Sequence, residues 1–213
     1  MQLRCNHIIP APLREHLPEA SEVWNKEFSL RPAERVFFYA PSGKGKSTFI
    51  HILYGLRKDF EGEAYWDDQS VKVQSEAQWA AWRCNSLSIV FQDLRLFDEL
   101  SLMENIRIKQ SLTETVSDQQ VEAWLEILGL AHKKKQSAGL LSYGEKQRVA
   151  IIRALTQPFS WLLLDEPFSH LDEENIGKAA AIISERLTAQ NAGLIMVDLK
   201  DENRFDFTKK CSL

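Results

Sequence analysis

One segment of nine residues has the composition and spacing of a phosphate-binding loop. It follows the GxxxxGK[ST] pattern, with an alanine in place of the first glycine. Backbone N–H groups of such a loop converge on phosphate oxygens, Lys46 adds a positive charge and is a candidate catalytic residue, and the Ser47 hydroxyl can ligate Mg²⁺. A simple glycine-rich turn is the alternative. The predicted phosphate-binding residues are Ala40, Pro41, Ser42, Gly43, Lys44, Gly45, Lys46, Ser47 and Thr48.

Two consecutive carboxylates form the second chemical feature. Asp165 and Glu166 directly follow the apolar run Trp161–Leu164, which places them at the carboxyl end of a predicted strand. Asp165 would help to hold Mg²⁺, and Glu166 would orient or deprotonate an attacking water. Acidic residues at a strand exit are common by themselves. Together with the phosphate-binding loop they predict a nucleotide-hydrolysing site.

A third segment has the pattern of a capped helix start. Ser142 and Glu145 have the spacing of a capping box, in which each satisfies a backbone donor of the first turn. Gly144 lies in that turn, and small residues allow a phosphate to approach the free N–H groups. The segment therefore predicts both a helix start and a second anion-binding site.

Short apolar runs predict the strands that position these residues. Val36–Ala40 precedes the phosphate-binding loop, and a helix over Thr48–Leu56 follows it. Leu87–Phe91, Trp161–Leu164 and Gly193–Val197 have the same apolar character, which is typical of strands buried on both faces of a parallel sheet. A strand before the loop and a helix after it favour phosphate binding over a simple turn.

Three predicted helices indicate a helical subdomain within a single domain. Helices over Ser101–Ile108, Asp118–Leu128 and Ser142–Leu155 indicate an inserted helical subdomain at about residues 94–157 of a domain that covers residues 1–213.

Two short alternating segments indicate a peripheral β subdomain. Lys26–Leu30 and Glu63–Trp66 are predicted to be strands of an antiparallel sheet. The predicted fold class is α/β, a P-loop NTPase core with a mostly parallel sheet, a peripheral antiparallel β subdomain and an inserted helical subdomain.

Composition excludes several other classes of protein. Lys and Arg number 26 against 30 Asp and Glu, and the net charge of -4 does not favour nucleic-acid binding. The three cysteines form no CxxC pair, which is typical of a reducing cytoplasm. No apolar run approaches the ~20 residues of a membrane span, and no secretory signal is evident. The five histidines have no metal-ligand spacing, and the run Lys133–Lys135 indicates a solvated helix end.

The motifs resemble those of ABC transporter nucleotide-binding domains and follow the family's order along the chain, from the loop near residue 40 to Asp172. Leu141–Glu145 is similar to the family's LSGGQ signature, with Tyr143 for its first glycine and Glu145 for its glutamine. Gln92 matches the Q-loop, and Ser169–Asp172 is similar to the D-loop. The resemblance covers most of the chain.

This resemblance implies ATP and Mg²⁺ as ligands and a head-to-tail dimer. ATP would lie between the phosphate-binding loop of one subunit and Ser142, Tyr143, Gly144 and Glu145 of the other, in a homodimer or heterodimer. Gln92 would contact Mg²⁺ or the attacking water and connect the site to the helical subdomain. Asp172 would link the two sites, and would also cap the next helix. Integral membrane permease subunits would hold the chain at the cytoplasmic face of the cell membrane.

Two family features are missing from the sequence. No histidine follows the last core strand, where Leu199 aligns directly and Lys200 aligns after a shift of one residue. No aromatic residue for adenine stacking occurs in Ile9–Leu13, and nearby Trp24 is more typical of a core residue than of a base platform. Slow turnover and weak base selectivity are therefore hypotheses.

Three functional classes remain. The first is an ATPase that powers a transporter, for which Phe91–Phe97 resembles the lipoprotein-release, macrolide-export and cell-division group. The second is a regulatory ABC module with weak hydrolysis, which retention of Glu166 disfavours. The third is a soluble mechanical or DNA-repair ABC ATPase, whose long coiled-coil insertion is absent here.

Overall fold

A five-stranded parallel sheet forms the centre of the protein in a computed structural model that describes all of residues 1–213. Its strands are β3 (Arg35–Tyr39), β6 (Leu87–Val90), β7 (Trp161–Asp165), β8 (Gly193–Asp198) and β9 (Lys209–Ser212). They lie in the order β6–β7–β8–β3–β9, and every neighbouring pair is parallel. The carboxyl ends of β3 and β7, which flank β8, therefore lie at the same end of the sheet. The phosphate-binding loop and the acidic pair are both located there.

Both faces of this sheet are buried, as the apolar runs predicted. Alternate side chains of each strand enter two different hydrophobic clusters, because the side-chain period of a strand is two residues. One face contributes Phe37, Leu162, Leu164, Leu194 and Met196, and the other contributes Val36, Phe38, Leu163, Ile195 and Val197.

A four-stranded antiparallel sheet lies beside this core. Its strands are β1 (Leu3–Pro10), β2 (Glu27–Leu30), β4 (Phe60–Trp66) and β5 (Gln69–Ser70), in the order β2–β1–β4–β5. Both predicted peripheral strands are present. Each of them pairs with β1, a strand without a regular alternation in its sequence.

Six α-helices accompany the sheets: α1 (Lys46–Leu53), α2 (Glu76–Asn85), α3 (Leu102–Gln110), α4 (Asp118–Ile127), α5 (Tyr143–Leu155) and α6 (Glu173–Gln190). Helix α1 begins two residues before the predicted start. It ends at Leu53 rather than Leu56, because Gly55 adopts φ 72° and turns the chain out of the helix. None of the six is both long and apolar enough to cross a bilayer.

Helices α3, α4 and α5 follow one another between β6 and β7. Each begins after a serine whose side chain accepts a backbone hydrogen bond from the first turn, namely Ser101, Ser117 and Ser142. Their apolar faces share one hydrophobic cluster with α6 and one face of the parallel sheet. The predicted fold class is therefore confirmed.

Candidate functional site

The phosphate-binding loop connects β3 directly to α1. Gly43 and Gly45 have φ values of 77° and 95°, a backbone region that side chains disfavour. A Cβ atom on Gly45 would lie 2.7 Å from Leu13 Cδ1 and 2.9 Å from the Trp24 ring, so packing as well as conformation favours glycine there. Ala40 is fully buried, and its methyl group packs in the core beneath the loop. The alanine at the first motif position is thus accommodated by the fold.

Lys46 is folded back inside the loop. Its ammonium group donates hydrogen bonds to the carbonyl oxygens of Ala40, at 2.9 Å, and Pro41, at 3.2 Å. It also lies 3.4 Å from Glu166 Oε1, and only 5% of its side chain and 10% of the Glu166 side chain are exposed. The site therefore holds a buried lysine and a buried carboxylate that face each other.

Glu166 follows β7 in an unusual backbone conformation. Its φ is 48°, which is uncommon for a residue other than glycine and is typical of functional sites. Its N–H donates to the carbonyl of Val197 at 2.9 Å, which fixes the carboxylate next to β8.

Asp165, Ser47 and Gln92 present oxygen atoms suited to Mg²⁺. The Ser47 hydroxyl donates to Gln92 Oε1 at 3.1 Å. Both carboxylate oxygens of Asp165 are buried and have no hydrogen-bond partner. A buried carboxylate without a donor is costly unless a cation binds to it. The three residues line one cavity of about 360 Å³, so the donor set fits a magnesium ion.

The ionisation of Asp165 gives a pH-dependent prediction. Burial raises the pKa of Asp165 to about 6, so this carboxyl holds its proton more tightly in the folded chain than in the unfolded chain. Its contribution to the free energy of unfolding therefore falls as pH rises through about 4 to 6. The free energy of unfolding of Asp165→Asn, relative to that of wild type, should therefore be about 2 kcal/mol higher at about pH 7.5 than at about pH 4.5.

Urea unfolding without nucleotide or Mg²⁺ measures this difference. Asp206→Asn, which removes an exposed aspartate, gives the effect of deleting a surface carboxylate. A stability difference between Asp165→Asn and wild type that is the same at both pH values would contradict the buried-carboxyl account.

The start of α5 forms a complete capping box. Glu145 N–H donates to Ser142 Oγ at 3.3 Å, and Ser142 N–H donates to Glu145 Oε2 at 2.9 Å. Lys133 Nζ lies 2.6 Å from Glu145 Oε1 and compensates the negative charge at this helix start. The predicted capping box is therefore present in full.

The structure brings only part of the predicted site together. One cavity of about 270 Å³ is lined by the loop residues Ser42, Gly43, Gly45, Lys46, Ser47 and Thr48 together with Gln92, Glu166, Pro12 and Leu13. Ser142, Gly144 and Glu145 do not line it, and neither does Asp172. Asp172 instead caps α6, where its Oδ1 accepts the N–H of Asn175 at 2.8 Å.

The structure locates the residues near the two missing family features, the adenine-stacking aromatic residue and the histidine after the last core strand. Trp24 is 2% exposed, packs edge-on against Phe49 and donates from its indole to the carbonyl of Lys44 at 3.2 Å. It supports the loop from inside, in agreement with the core interpretation. Leu199 and Lys200 follow β8 and line a cavity of about 310 Å³ that also contains Glu166.

Gln147 belongs to the site but was not predicted. Its side chain is 1% exposed and donates to the carbonyl of Glu166 at 3.2 Å and to Ser169 Oγ at 3.3 Å. A fully buried glutamine requires partners, which it finds next to the candidate catalytic carboxylate. In the sequence, only the position of this polar residue on the apolar face of α5 indicates that it belongs to the site.

Comparison with known proteins identifies the class. A family model described as ABC transporter matches residues 23–169, which is more than half of the chain. The chain therefore belongs to the ABC transporter family, and it is an ATPase domain of that family.

Two relatives belong to named transport systems. The chain is 34% identical over 175 residues to the lipoprotein-releasing system ATP-binding protein LolD of Coxiella burnetii, covering 80% of this chain and 75% of that protein. It is 40% identical over 148 residues to the aliphatic sulfonates import ATP-binding protein SsuB of Bacillus thuringiensis subsp. konkukian, covering 70% and 55%. The group suggested by Phe91–Phe97 is thus represented among the relatives.

Solved structures agree with the fold. A dimeric bacterial ABC transporter cassette superposes with a TM-score of 0.78 at 23% identity, covering 93% of this chain and 88% of the other. The same cassette bound to ADP and Pi, in a post-hydrolysis state, gives a TM-score of 0.76 at 24% identity.

Proposed function

We propose that this chain binds MgATP at the phosphate-binding loop and hydrolyses it to drive integral membrane permease subunits. The observation that carries the proposal is the single cavity in which Lys46, Ser47, Gln92 and Glu166 converge. A lysine, a hydroxyl and a carboxylate around one loop suit phosphoryl transfer to water. Membership of the ABC transporter family supports ATP as the substrate and a membrane protein as the partner.

Each residue has a separate role in this reaction. Lys46 binds the terminal phosphates, and Glu166 then exchanges its contact with Lys46 for one with the attacking water. Ser47, Asp165 and Gln92 would hold Mg²⁺, which would neutralise charge that develops on the phosphates. The loop amides from Ser42 to Thr48 bind the remaining phosphate oxygens.

The second anion-binding segment acts on a partner chain. Ser142 and Gly144 do not line the cavity of their own phosphate-binding loop. A two-fold dimer brings this segment of each subunit to the nucleotide of the other, so both sites are completed together. Tyr143 and Glu145 then lie at the interface, where Tyr143 also lines the cavity formed by Ser47, Gln92 and Asp165 of its own chain. Asp172 connects the two sites. The dimer is attached to the permease at the cytoplasmic face of the membrane.

Sequence similarity supports a proposal for the class of transporter. The relatives include proteins named for lipoprotein release and for sulfonate import. The segment Phe91–Phe97 resembles the former group, and alignment to LolD covers three quarters of that protein against about half of SsuB. We therefore propose that the chain serves a transporter of the lipoprotein-release type.

Mixing two inactive variants tests the shared site. Lys46→Met damages the phosphate-binding loop, and Ser142→Ala damages the second anion-binding segment. A heterodimer of the two contains one wholly intact site, because Lys46 from one chain meets Ser142 from the other. An equimolar mixture should recover about a quarter of wild-type MgATPase activity if half of the dimers are mixed and sites act independently.

Recovery must also depend on the pairing of the variants. A mixture of Lys46→Met with Lys46→Met/Ser142→Ala contains no intact site and is the matched control. Activity in the complementing mixture no higher than the average of its two components would contradict a shared site.

The positions of Leu199 and Lys200 support a second candidate, a regulatory ABC module with weak hydrolysis. Both residues line the cavity that contains Glu166, and no imidazole reaches the site from this segment. Single-turnover measurement separates the two candidates. A motor converts bound ATP to ADP faster than it releases ATP, whereas a regulatory module releases ATP unchanged.

A further inference from the structure

Gln92 accepts one hydrogen bond at its main-chain oxygen and another at its side-chain oxygen. The Tyr143 hydroxyl donates to the carbonyl oxygen of Gln92 at 2.9 Å. The Ser47 hydroxyl donates to the side-chain oxygen of the same residue at 3.1 Å. Gln92 therefore connects the first residue of α5 with the first turn of α1, and Tyr143 reaches it across 51 positions of sequence.

The start of α5 is itself fixed against the segment that follows β7. The rings of Tyr143 and His170 have centroids 4.1 Å apart. A Cβ atom on Gly144 would lie 2.7 Å from the carbonyl oxygen of His170, so the two backbones are in close contact. Gln147 adds a hydrogen bond, accepting the N–H of His170 at 3.1 Å. Tyr143 is thus a rigid point from which a hydrogen bond can hold Gln92.

We propose that Tyr143 is a positioning residue for Gln92. Its hydroxyl fixes the main chain at Gln92, so that the amide oxygen stays beside Ser47 in the cavity that Asp165 also lines. These four residues line the same cavity of about 360 Å³. The inference rests on the proposed function, in which Gln92 contacts Mg²⁺ or the attacking water.

The expected effect is moderate because the contact is partly exposed. Tyr143 is 44% exposed, and a neutral hydrogen bond in such a place changes an equilibrium or a rate by only a small factor. Without it, the Gln92 side chain explores more rotamers and spends less time beside Ser47. Catalysis should fall more than ATP binding, because the hydroxyl itself contacts the Gln92 main chain and not the loop amides or Lys46.

Tyr143→Phe in the full chain removes the hydroxyl and retains the ring that packs on His170. Hydrogen exchange should become faster in the peptide that contains residues 91–97, without nucleotide, and kcat should fall about three- to tenfold. KM for ATP should stay within about twofold. Tyr65→Phe, which removes the same atom from β4 in the antiparallel sheet, is the matched control.

A second comparison separates positioning from a general structural effect. In a Gln92→Ala chain, Tyr143→Phe should lower kcat by less than about twofold, since the side chain that it positions is gone. Unchanged exchange at residues 91–97, or an equal loss of kcat with and without Gln92, would overturn the proposal. If wild type hydrolyses no ATP, the proposed function fails, and hydrogen exchange still decides whether Tyr143 holds Gln92.

Discussion

Glu166→Gln should lower steady-state MgATP turnover by about a hundred- to ten-thousandfold, the range expected when a general base is lost. The glutamine has nearly the same size and keeps the position fixed by the bond between its N–H and Val197. It can neither accept the proton of a water nor pair electrostatically with Lys46. Lys46 is then free to bind phosphate, so ATP affinity should be equal to or greater than that of wild type.

Phosphate release and binding of a fluorescent ATP analogue measure these two quantities separately. Glu174→Gln is the matched control, because Glu174 is an exposed carboxylate that pairs with Lys178 on α6. Turnover within about threefold of wild type in Glu166→Gln would show that Glu166 is not the base.

Lys46→Met should weaken ATP binding by roughly ten- to 150-fold, the range for loss of a charged hydrogen bond. Methionine retains an aliphatic chain in the narrow space beneath the loop and removes only the ammonium group. Turnover should be lost as well, since the ammonium group that binds the terminal phosphates is absent. Binding of the same fluorescent analogue, followed by titration, gives the affinity.

Folding needs a separate check in this variant. Glu166 loses the cation that lies 3.4 Å from it, and a buried charge without a partner lowers stability. A thermal melt therefore accompanies each titration, and Lys135→Ala removes the same charge from an exposed position as a control. Folded Lys46→Met that binds ATP as tightly as wild type would contradict the assignment of Lys46.

The parts of the fold with strong local patterns could be predicted from sequence. The core strands are continuous apolar runs, and the loop and α5 carry glycines and a capping pair whose backbone needs are specific. β1 was missed because its alternation is interrupted: its register with β4 shifts between Asn6 and Ile9, and His7 has φ 51°. β9 is only four residues long and half lysine.

The site was predictable residue by residue but not as a set of contacts. GxxxxGK[ST] and the acidic pair reveal which residues bind phosphate and activate water. No local pattern reveals that Tyr143 reaches Gln92, because that contact depends on how α5 packs near the carboxyl end of β6. The pairing of Lys46 with Glu166 likewise arises only when β3 and β7 lie on either side of β8 in the sheet.

The most direct test of a dimeric ATPase is steady-state MgATPase activity of the purified chain as a function of protein concentration, alongside Glu166→Gln and Ser142→Ala. Activity per chain that rises with concentration, and is lost in both variants, is the predicted result. Activity per chain that is independent of concentration and unaffected by Ser142→Ala would contradict a site shared between two subunits.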